Sequence, residues 1–241
     1  MTLIVDVLKR AARECSVTDP DSWVTATGQA QVELRDDFML ETIEEIVDRV
    51  DLPSPIGKQT TITGDGSEDY ALPSDFKRLM RTPTAVYETT TTRRAGVPIT
   101  SDGDWTHLKT IGAAGAFRYF RIQGYDGNFT IGFLANPASG QSVTVSYVSN
   151  LWMANAAGTT GTMFTAEDDV LLLPRRVVEL GIVWRFRKRK GLDYASTLAE
   201  YESNLGRLVT DSRSMRSIHF GDSGRDYKPM RVPVPDYIPS S

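Results

Sequence analysis

At 241 residues the chain is long enough for one large domain or two small ones with a real core. Hydrophobic residues at 40% and charged residues at 24% exclude a disordered chain, and no run approaches the roughly 18–20 apolar residues of a membrane span. A single cysteine, Cys15, excludes an internal disulfide and a cysteine-based metal site. The formal net charge of -4 hides a gradient: residues 1–52 carry net -7, 53–170 net -2 and 171–241 net +5. An acidic head and a basic tail suggest segments that attract each other, within a chain or between copies.

The first segment, MTLIVDVLKRAARECS, has its charges after its apolar run, not before it, and no small-residue cleavage site. It reads as a helix, in a soluble chain made in a cytosol, and not as a signal peptide. Leu3, Ile4, Val7, Leu8, Ala11 and Cys15 share one face, and TDPDS at 18–22 ends it. A second helix is predicted over roughly Gln29 to Val50. Val32, Met39, Ile43, Ile46, Val47 and Val50 form its apolar face, and Glu41, Glu44, Glu45 and Asp48 its polar one. Leu52-Pro53-Ser54-Pro55 stops it.

From about Thr60 to Asn150 the period becomes two. Phe129, Ile131 and Phe133 fall on one face, as do Val143, Val145 and Tyr147, while 117–122 alternates rings and charges. Turn signals at 64–66, 93–96, 124–127 and 136–140 separate the runs, predicting an antiparallel sandwich or small barrel. One or two helical turns are expected at 104–112.

Helix returns after FTAEDD, where Thr165 and Asp168 stand at capping-box spacing and the acids suit a helix N-terminus. Pro174 offers an alternative first-turn position. The long helix should stop at Gly191, with Asp193 capping a last helix striped by Tyr194, Leu198, Tyr201, Leu205 and Leu208. After about Thr210 prolines recur at 229, 233, 235 and 239 without a helical stripe, reading as an extended arm. The expected fold class is α+β. Helices from 1–52 and 164–210 form a four-helix bundle, 53–163 is an inserted antiparallel β domain, and 211–241 is the arm.

Recognisable catalytic motifs are missing from the sequence; a glycosidase, which needs only two carboxylates, stays open on counts alone. His107 and His219 lack partners at metal spacing, and the acid-glycine turns at 64–69 and 101–104 lack the closing glutamate of a calcium loop. No nucleotide loop or nucleophile elbow occurs. The expectation is a non-enzyme without metal or cofactor.

The run WRFRKRKG raises nucleic acid as an alternative. At about 100° per residue, however, Arg185, Arg187, Lys188, Arg189 and Lys190 point all round the helix, not along one stripe. The reading preferred here is a helix end emerging from a core, anchored by Trp184 and Phe186. Its Arg187 and Arg189 would meet an acidic surface such as Glu41, Glu44, Glu45 and Asp48. The rival reading is a nucleic-acid-binding module that uses this run with Arg213, Arg216 and Arg225.

The ordered motifs YALPSDF (70–76), AFRYFRIQG (116–124), NPASG leading into VTVSYVSNLW (143–152), FTAEDD (164–169) and WRFRKRKGLDYA…EYE (184–202) are similar to those of the head-to-tail adaptors of short-tailed phages. The resemblance covers most of the chain, to about Leu208. It implies a virion protein of the neck, made in the host bacterial cytoplasm. Copies, usually twelve, would form a ring between the portal protein and the tail nozzle, around the channel for genomic DNA. It implies no reaction and no membrane. An arm that cannot fold alone would dock on a portal through Arg225, Tyr227, Met230, Val232, Tyr237 and Ile238.

Overall fold

The structure, a computed structural model, describes residues 2–90, 93–112, 118–125 and 127–214. The predicted arm anchors Arg225, Tyr227, Met230, Val232, Tyr237 and Ile238, together with Arg216 and His219, lie outside the described residues.

The chain opens on a two-residue strand, β1 (Thr2–Leu3), and α1 (Ile4–Glu14). Ile4, Val7, Leu8 and Ala11 are fully buried, so the predicted stripe faces the core. The helix ends before TDPDS. Ser16 takes φ +56, Val17 N–H reaches the Ala12 carbonyl at 2.8 Å, and Ser16 N–H reaches that of Arg13 at 3.2 Å. These two bonds satisfy carbonyls that the helix end leaves open.

The second rod is continuous but not uniform. It comprises α2 (Gln29–Val32), a π-helical stretch (Glu33–Phe38) and α3 (Met39–Arg49). The loop before it is fastened by Arg35, which donates to the carbonyls of Trp23 (2.7 Å) and Val24 (2.8 Å).

The middle of the chain supplies β2 (Gly57–Thr63), β3 (Asp69–Ala71), β4 (Phe76–Leu79), β5 (Val86–Glu88), β6 (Gly96–Pro98), α4 (Asp102–Thr110), β7 (Arg118–Tyr125), β8 (Asn128–Phe133) and β9 (Ser142–Ser149). They form two four-stranded sheets. In one, β9 pairs with β2 on one side and with β4 and β5 on the other; the second runs β3-β8-β7-β6. Ile62, Phe76, Val86, Phe120, Phe133 and Val145 meet in the core these sheets share. One pair departs from the antiparallel expectation: β6 runs parallel to β7, with Val97 opposite Tyr119. The α4 helix sits in the connection between them, which is how a chain returns to lay a parallel strand. Ser101 caps α4 by accepting from Asp104 N–H.

Three short strands, β10 (Met153–Ala154), β11 (Thr160–Gly161) and β12 (Val170–Leu171), join β1 in a third sheet, in the order β1-β12-β10-β11. The chain then enters α5 (Arg175–Arg189) and α6 (Ala195–Ser214). No helix begins at Thr165. Asp169, not Asp168, accepts from the backbone of Thr165 and Ala166, at 2.8 and 2.9 Å, and closes a turn. Glu167 instead holds Ser22 Oγ at 2.6 Å and Val24 N–H at 3.0 Å. The predicted Thr165–Asp168 pair caps no helix, and α5 starts only after Pro174, its N-cap.

α5 is buried almost all round from Val177 to Val183, because α1, α3, the π stretch and α6 all pack on it. Its end follows the predicted glycine stop. Gly191 has φ +69, Leu192 N–H bonds the Arg187 carbonyl at 2.9 Å, and Gly191 N–H bonds that of Lys188 at 3.2 Å. Gly191→Ala is therefore expected to cost about 1 kcal/mol through the left-handed backbone alone. A chemical-denaturation midpoint identical to that of the wild type would contradict this. Asp193 accepts from Ala195 N–H at 3.1 Å and starts α6.

The helical core does not stop at Pro53. It takes in Ile56, Val148, Trp152 and Met153. Strand β9 serves both cores: Val143, Val145 and Tyr147 face the space between the sheets, while Val148, one step out of phase, faces the helices.

Two polar joints hold the halves together. Arg78 of β4 donates to the carbonyls of Val47 (3.0 Å) and Val50 (2.8 Å) and pairs with Asp51 at 2.6 Å. Arg81 donates to the carbonyls of Arg49 (3.0 Å) and Asp48 (2.7 Å). These side chains satisfy the open carbonyls at the end of α3 and complement its negative pole. Asp75 accepts from Lys58 Nζ (2.7 Å), Tyr147 Oη (3.0 Å) and Ser149 Oγ (2.8 Å), pinning the β2 and β9 strands to the start of β4. Burial pulls its carboxyl upward, but these three donors outweigh that and hold it below the usual range.

Candidate assembly site

Glu33, Asp37, Glu41 and Glu45 recur every four residues along the second rod. In an α-helix four residues overshoot a turn by about 40°. The wider π turn, bonded i to i+5, falls short of a turn over the same four. The two drifts oppose each other, so the four carboxylates stay along one seam facing α5. The basic residues of α5 meet them in reverse order. Lys190 Nζ lies 2.9 Å from Glu33, Arg189 lies 3.4 Å from Asp37, and Arg185 lies 3.4 Å from Glu41 and is also hydrogen-bonded to Glu45. The ammonium of Lys190 beside it is the main reason the Glu33 carboxyl is held below its ordinary range.

Arg185 is the centre of the seam, with 11% of its side chain exposed. It also donates to Thr42 Oγ1 (3.0 Å) and the Gly181 carbonyl (3.2 Å), and its guanidinium lies 4.5 Å from the Trp184 ring centroid. Tyr201 Oη donates to Glu45 at 2.8 Å, and Arg49 bridges Glu45 and Glu202. Burial pushes the Glu45 carboxyl up, but the donors Arg185, Arg49 and Tyr201 together hold it below the ordinary range. Burial first, and then the bond to Glu45, push the Tyr201 hydroxyl well up.

The residues singled out in the sequence divide between two places. Trp184 stacks obliquely on Tyr201 with ring centroids 6.1 Å apart, and Phe186 meets Phe38 edge-on at 6.2 Å. Arg187 reaches Thr197 Oγ1 at 3.0 Å and the Glu14 carbonyl at 3.3 Å. Arg189, Glu41 and Glu45 belong to the seam. Glu44 and Asp48 turn elsewhere: Glu44 is exposed and lines a pocket, and Asp48 lies 3.9 Å from Lys77. Sequence reasoning named Lys190 in the basic run and Tyr201 in a core stripe without giving them these partners, and did not single out Glu33, Asp37 or Thr42. The four-residue spacing of the acids was the available signal, and a pure α-helical wheel hides it.

The pocket lies at the junction of the helices with the sheets and has a volume of about 530 Å³. Ile43 and Val47 of α3 form one wall, Phe76 and Phe129 of the sheets another, and Trp152 closes it. Glu44, Lys77 and Asn150 supply its polar atoms.

Among the described residues no group of three His, Cys, Asp or Glu side chains could hold a metal ion, and no helix is long and apolar enough to cross a membrane. The acid-glycine turn is accounted for locally: Asp65 accepts from Ser67 N–H at 2.8 Å and from Tyr70 Oη at 2.8 Å. His107 is exposed on α4. The described residues offer a seam of paired charges and an open pocket with apolar walls and polar edges.

A family model described as SU10 adaptor protein matches residues 2–224, nearly the whole chain. The chain belongs to the SU10 adaptor protein family. It is thus a phage adaptor, a structural component of the virion that associates with other phage head and tail proteins. No curated protein matches the chain. The SU10 adaptor match takes in all the described helices and all three sheets, so it applies to the helical core and the β half alike. It ends before Arg225, the first of the predicted arm anchors.

Proposed function

We propose that this SU10 adaptor forms a closed ring, of twelve copies, between the portal protein and the tail nozzle of a short-tailed phage. The helical half faces the portal, the β half faces the tail, and genomic DNA passes through the channel. The ring matches symmetry, seals the neck and retains the genome until ejection. The helices of 1–52 and 164–210 act as one bundle around α5, and 211–241 is the arm that engages the portal. The observation that carries this reading is the adaptor-family match across both halves of the chain. The basic run supports a structural role over a nucleic-acid one, since Arg185, Arg189 and Lys190 are engaged by acids of the same chain. DNA contact is then non-specific and follows from the channel alone.

Negative-stain electron microscopy of the full chain, alone and with the portal of the same phage, tests this. Rings on the portal and weak duplex binding at physiological salt are expected. A persistent monomer that binds duplex DNA with a steep salt slope, lost on neutralising Arg187–Lys190, would overturn it.

A further inference from the structure

The turn after α5 normally carries an apolar residue that packs back on the last helical turn. Here that residue is Leu192, and it remains 53% exposed. Exposed Lys188, Arg189 and Lys190 precede it and exposed Asp193 follows it; Arg189 and Lys190 are paired with Asp37 and Glu33, but Lys188 has no carboxylate within ion-pair distance among the described residues. The corner is an apolar knob beside one uncommitted cation, Lys188. The junction pocket is the opposite. Its floor is apolar, and Leu40 (37% exposed) stands on its rim, while Met163 (72% exposed) follows Thr162 of its lining. Of its two charged lining residues, Lys77 lies 3.9 Å from Asp48, while exposed Glu44 has no cationic partner within ion-pair distance among the described residues. Within one chain the knob sits at the Glu33 end of the rod and the pocket beside Leu40–Val47, and both remain uncovered.

We propose that the Leu192 corner of one copy seats in the junction pocket of the next, with Lys188 meeting Glu44. The uncommitted charges Lys188 and Glu44 are opposite, and knob and socket are different surfaces, so the contact is head-to-tail and each copy keeps one of each free for a further neighbour. This names the subunit contact of the ring proposed above and rests on that reading. A leucine against the socket's apolar walls, with a Lys–Glu pair at the edge, has the make-up of an interface anchor with a polar rim.

The test uses the full chain with Cys15→Ser, alone and on portal, treated with a short bis-maleimide. The Leu192→Cys, Leu40→Cys double variant should give a ladder of linked species beyond the dimer, and either single variant none beyond the dimer. Leu192→Asp should leave the thermal midpoint unchanged and weaken assembly at least tenfold. Glu44→Lys should also weaken assembly, and adding Lys188→Glu should restore part of it. If rings form, but the double variant gives no ladder and Leu192→Asp assembles normally, the contact is wrong while the ring stands. If the wild-type chain forms no ring either alone or on portal, the ring reading fails and takes this contact with it.

Discussion

Gly181→Ala is expected to destabilise the protein by about 2–3 kcal/mol, although alanine is the better helix former by about 1 kcal/mol. Gly181 lies in the buried middle of α5 where α3 crosses it. A methyl group there would overlap the Thr42 side chain, with Oγ1 at 2.8 Å and Cβ at 3.0 Å. Thr42 cannot swing away freely, because its hydroxyl donates to the Phe38 carbonyl at 2.6 Å and accepts from Arg185. Two rods would have to separate, and the cores that join them with it. Urea denaturation gives the measurement. Pairing the change with Thr42→Ser, which removes the nearest methyl and keeps the hydroxyl, should recover part of the loss. A Gly181→Ala protein as stable as the wild type would mean the rods are not in close contact there.

Arg185→Ala should cost about 3–4 kcal/mol, because it leaves the Glu45 carboxylate, 25% exposed, without its main cation while Tyr201 stays buried against it. Arg185→Lys should recover only a part, since an ammonium cannot reach Thr42, Gly181 and Glu45 as a planar fork does. The seam also sets an acid response. The Glu45 and Glu33 carboxyls are held below their ordinary values in the fold. Their contribution is therefore complete above the unfolded glutamate pKa of about 4.3 and is lost as pH falls through the lower folded values. A thermal midpoint followed from pH 6 to pH 3 should drop, and Glu45→Gln should flatten part of that drop from a lower starting point. An equally steep fall in Glu45→Gln would place the acid sensitivity elsewhere.

The helices were legible because their information is local. The Ile4–Ala11 stripe, the stop at Gly191 and the stripe through Tyr201 and Leu205 each need only neighbours in sequence. The strands were legible where one face is buried, as at Val143, Val145 and Tyr147. What could not be read were features decided by distant partners. The Thr165–Asp168 spacing fits a cap, yet no helix follows, because Asp169 and Glu167 answer to the turn and to Ser22 and Val24. The parallel pairing of β6 depends on where α4 returns the chain. The basic run showed that its charges surround the helix, and that holds. It could not show that Glu33 and Asp37 wait beside it, since their alignment depends on a π turn with no simple signature in residue types. Asp75, inside the quoted YALPSDF motif, was given no role from sequence and is a three-donor hub, because its donors Lys58, Tyr147 and Ser149 come from other strands.

The arginine joint at the end of α3 has a mechanical consequence. Arg78 and Arg81 grip the carbonyls of Val47, Asp48, Arg49 and Val50 from the sheet side. A torque applied to the β half therefore arrives at α3 as a pull on its last turn, with little slack between. The same turn carries Val47, one wall of the junction pocket, while Phe76 and Phe129 of the opposite wall move with the sheets. Tilting one half against the other would change the width of that cleft. If a neighbour's corner fills it, a force from the tail alters the grip between subunits, and the ring acts as a lever system with its fulcrum at two guanidinium groups.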